Sequence, residues 1–294
     1  MLICDDMTFR RVFLALLISI ATVACTWAQK EPRVIKDIEF AQGLGLDLYL
    51  PNGETLDGLV VWIHGGAWRA GSKEKVPVLD LVDRGWPIAS VDYRLSGEAQ
   101  FPAQIHDIKG AIRFLRSQES EYGYRAENVF AIGSSAGGHL VALTGVTNGH
   151  AALEGSVGSH LKESSDVQGI VSLYGASNLT TILDQSTPHG LSVRVPALEL
   201  FIGGRPENVT ETARLASPVF HVDRDDPPLL MIHGDQDPQM PINQSLELES
   251  AYGRVSAPVE FISLNGAKHG GGAFYDAERI GIMHRFLASV VAER

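Results

Sequence analysis

The 294-residue sequence predicts an α/β fold, a single domain with a mostly parallel sheet of about eight strands and helices on both faces. Short apolar, β-branched runs alternate with longer amphipathic stretches, and the continuous apolarity of these runs is typical of strands covered on both sides. No linker, charge block or repeat divides the chain. A composition with 45% hydrophobic and 20% charged residues excludes disorder, collagen and coiled coil, and the net charge of -11 argues against a nucleic-acid partner.

The first segment of the chain predicts an export signal. Arg10 and Arg11 precede thirteen mostly apolar residues, 12–24, and small residues then suit cleavage after Ala28. A membrane span needs about 20 apolar residues, so no membrane-spanning helix is expected. We therefore expect a signal peptide at 1–28, a folded domain at 29–294, and a periplasmic or extracellular location. Lipid attachment at Cys25 is a less favoured alternative, and the start at Met1 or Met7 stays open.

The elements follow from the apolar pattern in chain order. The runs at 34–40 and 44–50 are separated by three residues and predict an antiparallel hairpin. Six further strands are predicted at 59–63, 87–93, 128–133, 169–174, 228–233 and 259–264. Helices are predicted at 101–117, 136–146, 241–253 and 274–292. The least patterned stretch, 184–226, is a candidate partial cap over one end of the sheet.

A candidate nucleophile stands where the strand at 128–133 meets the following helix. The residues Gly133, Ser134, Ser135, Ala136 and Gly137 form a G-x-S-x-G pattern in the strand–turn–helix context that this motif requires. A serine at such a sharp turn has a strained backbone, and a side chain at either glycine would collide with the neighbouring strand or helix. Ser135 is therefore the predicted nucleophile.

Two other predicted strands are followed by residues that a nucleophilic serine needs as partners. The glycine turn after Ile63 suggests an oxyanion hole, to which we assign the amides of Gly66, Ala67 and Ala136. Asp237 follows the strand ending at His233 and is the predicted acid.

The predicted base is His269, in a glycine loop after the last strand, and the order Ser135, Asp237, His269 is the expected nucleophile, acid and base order. Asp235 is expected to bond within its own turn, and the other nine histidines are expected to be surface or packing residues. A metal site on Asp235 and Asp237 is a weaker alternative, because no histidine or cysteine pattern accompanies them.

Together these motifs resemble the α/β-hydrolase superfamily, and within it the secreted carboxylesterases related to acetylxylan and feruloyl esterases and to the hormone-sensitive-lipase branch. The resemblance covers nearly all of residues 29–294 and rests on HGGAWRAGSK from His64, SVDYRLS from Ser90, FPAQIHDIKGAIRFLR from Phe101, GSSAGGHLVAL from Gly133, HGDQDPQMP from His233 and GAKHGGG from Gly266. It implies a serine hydrolase of short-chain or aromatic acyl esters that uses no metal or cofactor. The expected substrates that carry these esters are plant or algal polysaccharides. Ala67 replaces the third glycine of the lipase-branch motif, and the residues before the first strand are too few for that branch's cap, so long-chain lipase activity is not expected.

Substrate specificity and two alternatives stay open at this point. Trp68 and Tyr174, with Tyr93 and Phe274, are candidates for the substrate pocket, although aromatic residues at strand ends more often pack in the core. Serine peptidases of the prolyl-oligopeptidase type share the motifs but carry a large extra domain, which residues 29–294 cannot hold. A catalytically dead hydrolase acting as a binding module is the other alternative, and the oligomeric state is not predicted.

Overall fold

A computed structural model describes residues 32–294. The predicted signal peptide, both cysteines and the candidate lipidation site at Cys25 lie outside the described residues. Among residues 32–294, no helix combines the length and apolarity needed to cross a membrane.

One sheet organises the described part of the chain. Its strands are β1 (Arg33–Ala41), β2 (Leu44–Leu50), β3 (Leu59–Ile63), β4 (Ile88–Val91), β5 (Val129–Ser134), β6 (Gly169–Leu173), β7 (Leu229–Gly234) and β8 (Val259–Leu264). Their spatial order is β1-β2-β4-β3-β5-β6-β7-β8. Strands β1 and β2 pair in antiparallel fashion, β2 pairs antiparallel to β4, and all other neighbours are parallel. The predicted eight-stranded, mostly parallel sheet with an N-terminal hairpin is confirmed.

Helices cover both faces of this sheet. Within residues 32–294 they are α1 (Ala103–Ser117), α2 (Glu119–Tyr122), α3 (Ala136–Gly145), α4 (Ala151–Glu154), α5 (Ile182–Gln185), α6 (Pro188–Phe201), α7 (Thr210–Leu215), α8 (Asn243–Val255) and α9 (Ala277–Ala292). Helices α1, α3, α6 and α8 contribute to the core on one face, and α9 contributes to the core on the other.

The alternation of side chains along β3 shows how the two cores arise. Val61 and Ile63 belong to the core beneath α1 and α3, whereas Val60 and Trp62 belong to the core beneath α9. All five residues of β3 are buried, because successive side chains of a strand point to opposite faces and both faces are covered. This is why the strand has a continuous apolar sequence.

The predicted boundaries of the main elements differ from the observed ones by at most three residues, and those of β2, β3 and β8 coincide with the observed ones. The hairpin turn is tighter than predicted, because Ala41 pairs with Leu44 and only Gln42 and Gly43 lie in the turn. Gly43 has a φ of 73°, which glycine adopts without strain.

The poorly patterned stretch 184–226 contains α6 and α7. The start of α6 packs on the loop after β7, where Thr187 Oγ1 donates to the carbonyl of Pro238 at 2.7 Å and Arg194 Nε donates to the carbonyl of Gln239 at 3.2 Å.

Candidate active site

Ser135 lies at the sharp turn between β5 and α3. Its backbone has a φ of 54° and a ψ of -116°, a conformation that residues other than glycine rarely adopt. The turn is fixed because the Ser135 amide donates to the carbonyl of Leu173 at 2.8 Å. A Cβ at Gly137 would lie 2.1 Å from the Ile63 carbonyl oxygen, and one at Gly133 would lie 2.5 Å from that of Gly137. Both glycines are therefore required sterically, as the motif predicted.

The structure brings the three predicted side chains into one chain of hydrogen bonds. His269 Nε2 lies 2.8 Å from Ser135 Oγ, and His269 Nδ1 lies 2.6 Å from Asp237 Oδ2. An ionised carboxylate only accepts, so Nδ1 carries the hydrogen and Nε2 is free to accept the hydroxyl proton of Ser135. The Asp237 side chain is fully buried and that of His269 is 13% exposed. This arrangement can transfer a proton from the serine to the imidazole.

The Asp237 carboxylate is held on both of its oxygens. Oδ1 accepts from the amides of Gln239 and Met240, each at 2.8 Å. Oδ2 faces His269 and also lies 3.4 Å from His233 Nε2. Burial alone would raise the pKa of Asp237, but hydrogen bonds from the two imidazoles outweigh it and hold this pKa well below its usual range. The carboxylate therefore stays ionised beside His269.

His233 is a second histidine at this site, and it is fully buried at the end of β7. Its Nε2 lies 3.1 Å from the carbonyl of Met240, and its Nδ1 lies 2.8 Å from Ser245 Oγ. A carbonyl only accepts, so Nε2 carries a hydrogen, and the Asp237 carboxylate lies 3.4 Å from the same nitrogen. His233 is thus a buried residue, within the expectation of a surface or packing role for the other histidines, and it also lies beside the predicted acid.

Asp235, the other carboxylate of this loop, accepts from the amide of Gly266 at 2.7 Å. It was expected to bond within its own turn, and instead it connects the loop after β7 to the loop after β8. These are the two loops that carry Asp237 and His269. Asp235 therefore links the loop of the acid to the loop of the imidazole.

The glycine turn after β3 has the tight geometry predicted for an oxyanion loop. The amides of Arg69 and Ala70 both donate to the Gly66 carbonyl at 3.1 Å. Gly66 has a φ of 109°, and a Cβ there would lie 2.0 Å from the carbonyl oxygen of Ala70. Ala67 has a φ of 54° without being glycine, and such strain is concentrated at functional sites. Ala136 is the first residue of α3, where an amide has no acceptor within the helix.

Trp68 packs between α3 and α6, so its assignment as a substrate contact is wrong. Its side chain is 0% exposed and stacks on Phe201 of α6 with ring centroids 4.6 Å apart. Trp68 Nε1 donates to His139 Nδ1 at 3.1 Å, and His139 Nε2 in turn donates to the carbonyl of Ala216 at 2.7 Å. Burial lowers the pKa of His139 to about 4, so the ring stays neutral. Trp68 therefore connects the oxyanion loop to the helix that follows Ser135.

The remaining aromatic candidates for the pocket are also buried. Tyr93 stacks on His64 at 4.3 Å, and Phe274 is 0% exposed. Tyr174 is 5% exposed and has a strained φ of 40°. Its ring contacts His269 edge-on at 4.9 Å, and its hydroxyl lies 2.7 Å from that of Tyr275. Tyr174 therefore supports the imidazole from the core.

A cavity of about 570 Å³ lies beside the nucleophile turn, and we call it the Ser134 cavity. The described residues that line it are Trp62, His64, Gly65, Gly66, Gly71, Ser72, Lys75, Val76, Pro77 and Ser134. Its tryptophan is Trp62 of β3 and not Trp68 of the loop.

Comparisons with known proteins identify the family and the fold of the chain. The family model described as BD-FAE matches residues 46–252. The chain belongs to the BD-FAE family. This BD-FAE protein is 34% identical to Esterase LipC of Mycobacterium tuberculosis over 219 residues, which cover 72% of this chain and 52% of LipC. It spans about half to three-fifths of the length of the first curated relatives that it matches.

Two solved structures have the same fold as this BD-FAE protein. A truncated form of a carbohydrate esterase from gut microbiota superposes with a TM-score of 0.80 at 30% identity, covering 90% of this chain and 98% of that one. A bifunctional GH43-CE protein of Bacteroides eggerthii gives 0.79 at 33% identity, covering 87% of this chain and 35% of that one. The fold is that of the α/β-hydrolase esterases, as the sequence motifs indicated.

Sequence reasoning on this BD-FAE protein missed His233 beside the acid, and it missed Trp62 and Val76 in the lining of the Ser134 cavity. The signal for His233 was its place at the end of a strand, four residues before the predicted acid. The signal for Trp62 was the alternation of side chains along β3, which places Trp62 on the opposite face of the sheet from Val61 and Ile63.

Proposed function

We propose that this protein is an exported serine carboxylesterase in which Ser135 is the nucleophile, His269 the general base and acid, and Asp237 the residue that orients His269. The observation that carries the proposal is the pair of hydrogen bonds on the two nitrogens of His269, 2.8 Å to Ser135 Oγ and 2.6 Å to Asp237 Oδ2. Similarity to Esterase LipC and to the carbohydrate esterases supports the same reaction class.

In the first half of the reaction, Ser135 Oγ attacks the ester carbonyl carbon while His269 Nε2 takes the hydroxyl proton. The carbonyl oxygen becomes negative and is stabilised by the amides of Gly66, Ala67 and Ala136. The imidazolium beside the ionised Asp237 then gives its proton to the alkoxide oxygen as the bond between carbon and that oxygen breaks. The alcohol leaves, and the acyl group stays on Ser135.

The second half releases the acid. His269 Nε2 takes a proton from water, whose oxygen attacks the acyl carbon, and the same amides stabilise the second oxyanion. When this intermediate collapses, the proton returns from His269 to Ser135 Oγ and the carboxylic acid departs. Each turnover thus consumes one ester and one water and restores the starting protonation state, without a cofactor.

For the substrate we propose short-chain or aromatic acyl esters on plant or algal polysaccharides. Similarity to the carbohydrate esterase from gut microbiota supports the carbohydrate part. The export signal predicted at residues 1–28 supports a location outside the cytoplasm, where such polymers occur. A panel of acetyl to long-chain esters, feruloyl esters and acetylated xylan tests this specificity through the released acid. N-terminal sequencing of the purified exported protein tests cleavage after Ala28 against processing at Cys25.

The reaction itself is tested by Ser135→Ala. We expect the variant to keep the wild-type circular dichroism and melting temperature and to lose turnover of p-nitrophenyl acetate. Ser289→Ala is the matched control, because Ser289 lies exposed on α9 and its hydroxyl donates only to the carbonyl of Phe286. Retained turnover in Ser135→Ala would remove the assignment. Cleavage of prolyl peptides would favour the peptidase alternative, and a folded wild type without esterase turnover would favour the binding module.

A further inference from the structure

We infer that the Ser134 cavity holds the acyl group of the ester, and that it selects apolar acyl groups longer than acetyl. The inference rests on the proposed function, because it assumes that Ser135 attacks the ester carbonyl. It assigns Trp62 and Val76 as residues that determine acyl specificity.

The first argument is position. Gly65 and Gly66 line the cavity, and they belong to the turn whose amides face the proposed oxyanion. Ser134 also lines it and is the residue directly before the nucleophile. In the tetrahedral intermediate the carbon is bonded to Ser135 Oγ, the oxyanion, the acyl chain and the leaving alkoxide. With the oxyanion at the Gly66 amide, either the acyl chain or the alkoxide lies beside the cavity.

The second argument decides which substituent lies there. The leaving oxygen must receive its proton from His269 Nε2, so the alcohol side of the ester faces His269. His269 and Asp237 come from the loops after β8 and β7. The described residues that line the cavity come from Trp62 to Pro77 and from Ser134. In the sheet order β4-β3-β5-β6-β7-β8 these residues belong to β3, the segment after it and β5, three or four strands from β8. Trp62 also contacts Tyr275, which follows the His269 loop, with ring centroids 6.5 Å apart. The acyl group is the substituent that points away from His269.

The third argument is chemistry. Trp62 and Val76 are buried core residues, whereas Lys75 and Pro77 are exposed, so the cavity extends from the surface toward apolar side chains. The one polar atom of the Trp62 side chain is already used, because Nε1 donates to the Lys75 carbonyl at 2.9 Å. An apolar group is therefore favoured at this end. A volume of about 570 Å³ is within the range of small-molecule sites and exceeds what an acetyl group needs.

The lining segment is also held in place before substrate arrives. The amide of Lys73 donates to Asp92 Oδ1 at 2.7 Å, and Ser90 Oγ donates to the Lys73 carbonyl at 2.7 Å. The Lys73 ammonium pairs with Asp47 at 2.8 Å. With the Trp62 bond to Lys75, these contacts fix the segment on both sides. A preformed cavity discriminates between acyl groups by fit.

Two substrate series measured on the full chain test the inference. The acyl series is p-nitrophenyl acetate, propionate, butyrate and hexanoate, and the alcohol series is methyl, ethyl and butyl acetate. For the wild type we expect kcat/KM to rise about fourfold per added acyl methylene up to butyrate. Val76→Phe fills the cavity and should lower the butyrate-to-acetate ratio of kcat/KM about tenfold. Val76→Ala should move the preferred acyl group toward hexanoate.

Controls separate the cavity from general damage to the fold. Leu79→Phe adds similar bulk at a side chain that is 38% exposed and does not line the cavity, so its ratios should equal those of the wild type. Ser72→Phe fills the cavity from a second, half-buried lining position. It should lower the butyrate-to-acetate ratio in the same way, and it replaces Val76→Phe in the test if Val76→Phe does not fold. In all variants the relative rates within the alcohol series should stay as in the wild type.

Each other outcome overturns the inference. If filling variants alter the alcohol series and spare the acyl series, the cavity holds the alcohol. If they alter neither series, the cavity does not contact substrate. If the folded wild type hydrolyses no ester of either series, the proposed function itself fails, which is a different result from a changed preference in an active enzyme.

Discussion

His233 is expected to hold the Asp237 carboxylate in the orientation that His269 requires. His233→Ala removes a donor that lies 3.4 Å from Asp237 Oδ2 and 3.1 Å from the Met240 carbonyl, and it also removes the acceptor of the Ser245 hydroxyl. The buried carbonyl and hydroxyl then each lack a partner, at about 1–3 kcal/mol apiece, so unfolding should become about 2–6 kcal/mol easier. A protein with a free energy of unfolding of about 5–15 kcal/mol stays folded after most losses in that range, so the variant can be assayed.

The effect on catalysis has a separate signature. The His269 imidazolium forms only during the reaction, so a misoriented Asp237 weakens the transition state and leaves substrate binding intact. A hydrogen bond to a charged group contributes about 1.5–3 kcal/mol, which predicts a loss in kcat of about 10- to 100-fold at unchanged KM. Steady-state kinetics with p-nitrophenyl acetate, corrected for the folded fraction, measures both constants.

Two companion variants distinguish positioning from packing. His233→Gln offers an amide N–H near the position of Nε2 and should restore most of kcat. Ser245→Ala removes only the partner of Nδ1, so it should lower the melting temperature slightly, at a cost of about 1 kcal/mol, and leave kcat unchanged. Wild-type kcat in folded His233→Ala, or equal impairment of the Gln and Ala variants, would refute the reasoning.

Three further predictions concern the acid, the nucleophile turn and the pH dependence of stability. Asp237→Asn places an amide where only an acceptor fits and disfavours the His269 tautomer with a free Nε2, so kcat should fall about 10⁴-fold in steady-state assays. Gly137→Ala brings a Cβ to 2.1 Å from the Ile63 carbonyl oxygen, and denaturant unfolding should show a loss of about 1–3 kcal/mol or more. Burial raises the pKa of Asp226 from 3.8 to about 7, so folding favours its protonated form and this stabilisation is lost as pH rises from 4 to 7. Asp226→Asn should flatten that part of the melting-temperature profile, and an unchanged profile would contradict it.

Much of the fold follows from local signals in the sequence. The six strands after the hairpin follow from continuous apolar runs, which a strand covered on both faces needs. The hairpin follows from the short gap at 41–43 between two such runs. The candidate site also follows from this pattern. Ser135, Asp237 and His269 each come directly after a predicted strand or a few residues later, and the C-terminal ends of parallel strands meet at one edge of a sheet.

The rest depends on contacts between residues that are distant in the chain. Trp68 was a pocket candidate as an aromatic residue near a strand end. Its partners His139 and Phe201 lie on α3 and α6, far away in the sequence, so its neighbours in the chain do not reveal them. His233 resembled a strand residue, and its role depends on how the loop after β7 folds back so that Asp237 lies beside it. The Ser134 cavity combines β3, the segment after it and one residue of β5, and no local pattern specifies such a space.

Active-site labelling with a fluorophosphonate, followed by peptide mapping, tests the central claim most directly. We predict one label per chain, on Ser135 and not on the adjacent Ser134 in fragment spectra, and slower labelling by orders of magnitude in His269→Ala. A label on another residue, or labelling of Ser135 at the same rate without His269, would contradict the relay from Asp237 through His269 to Ser135.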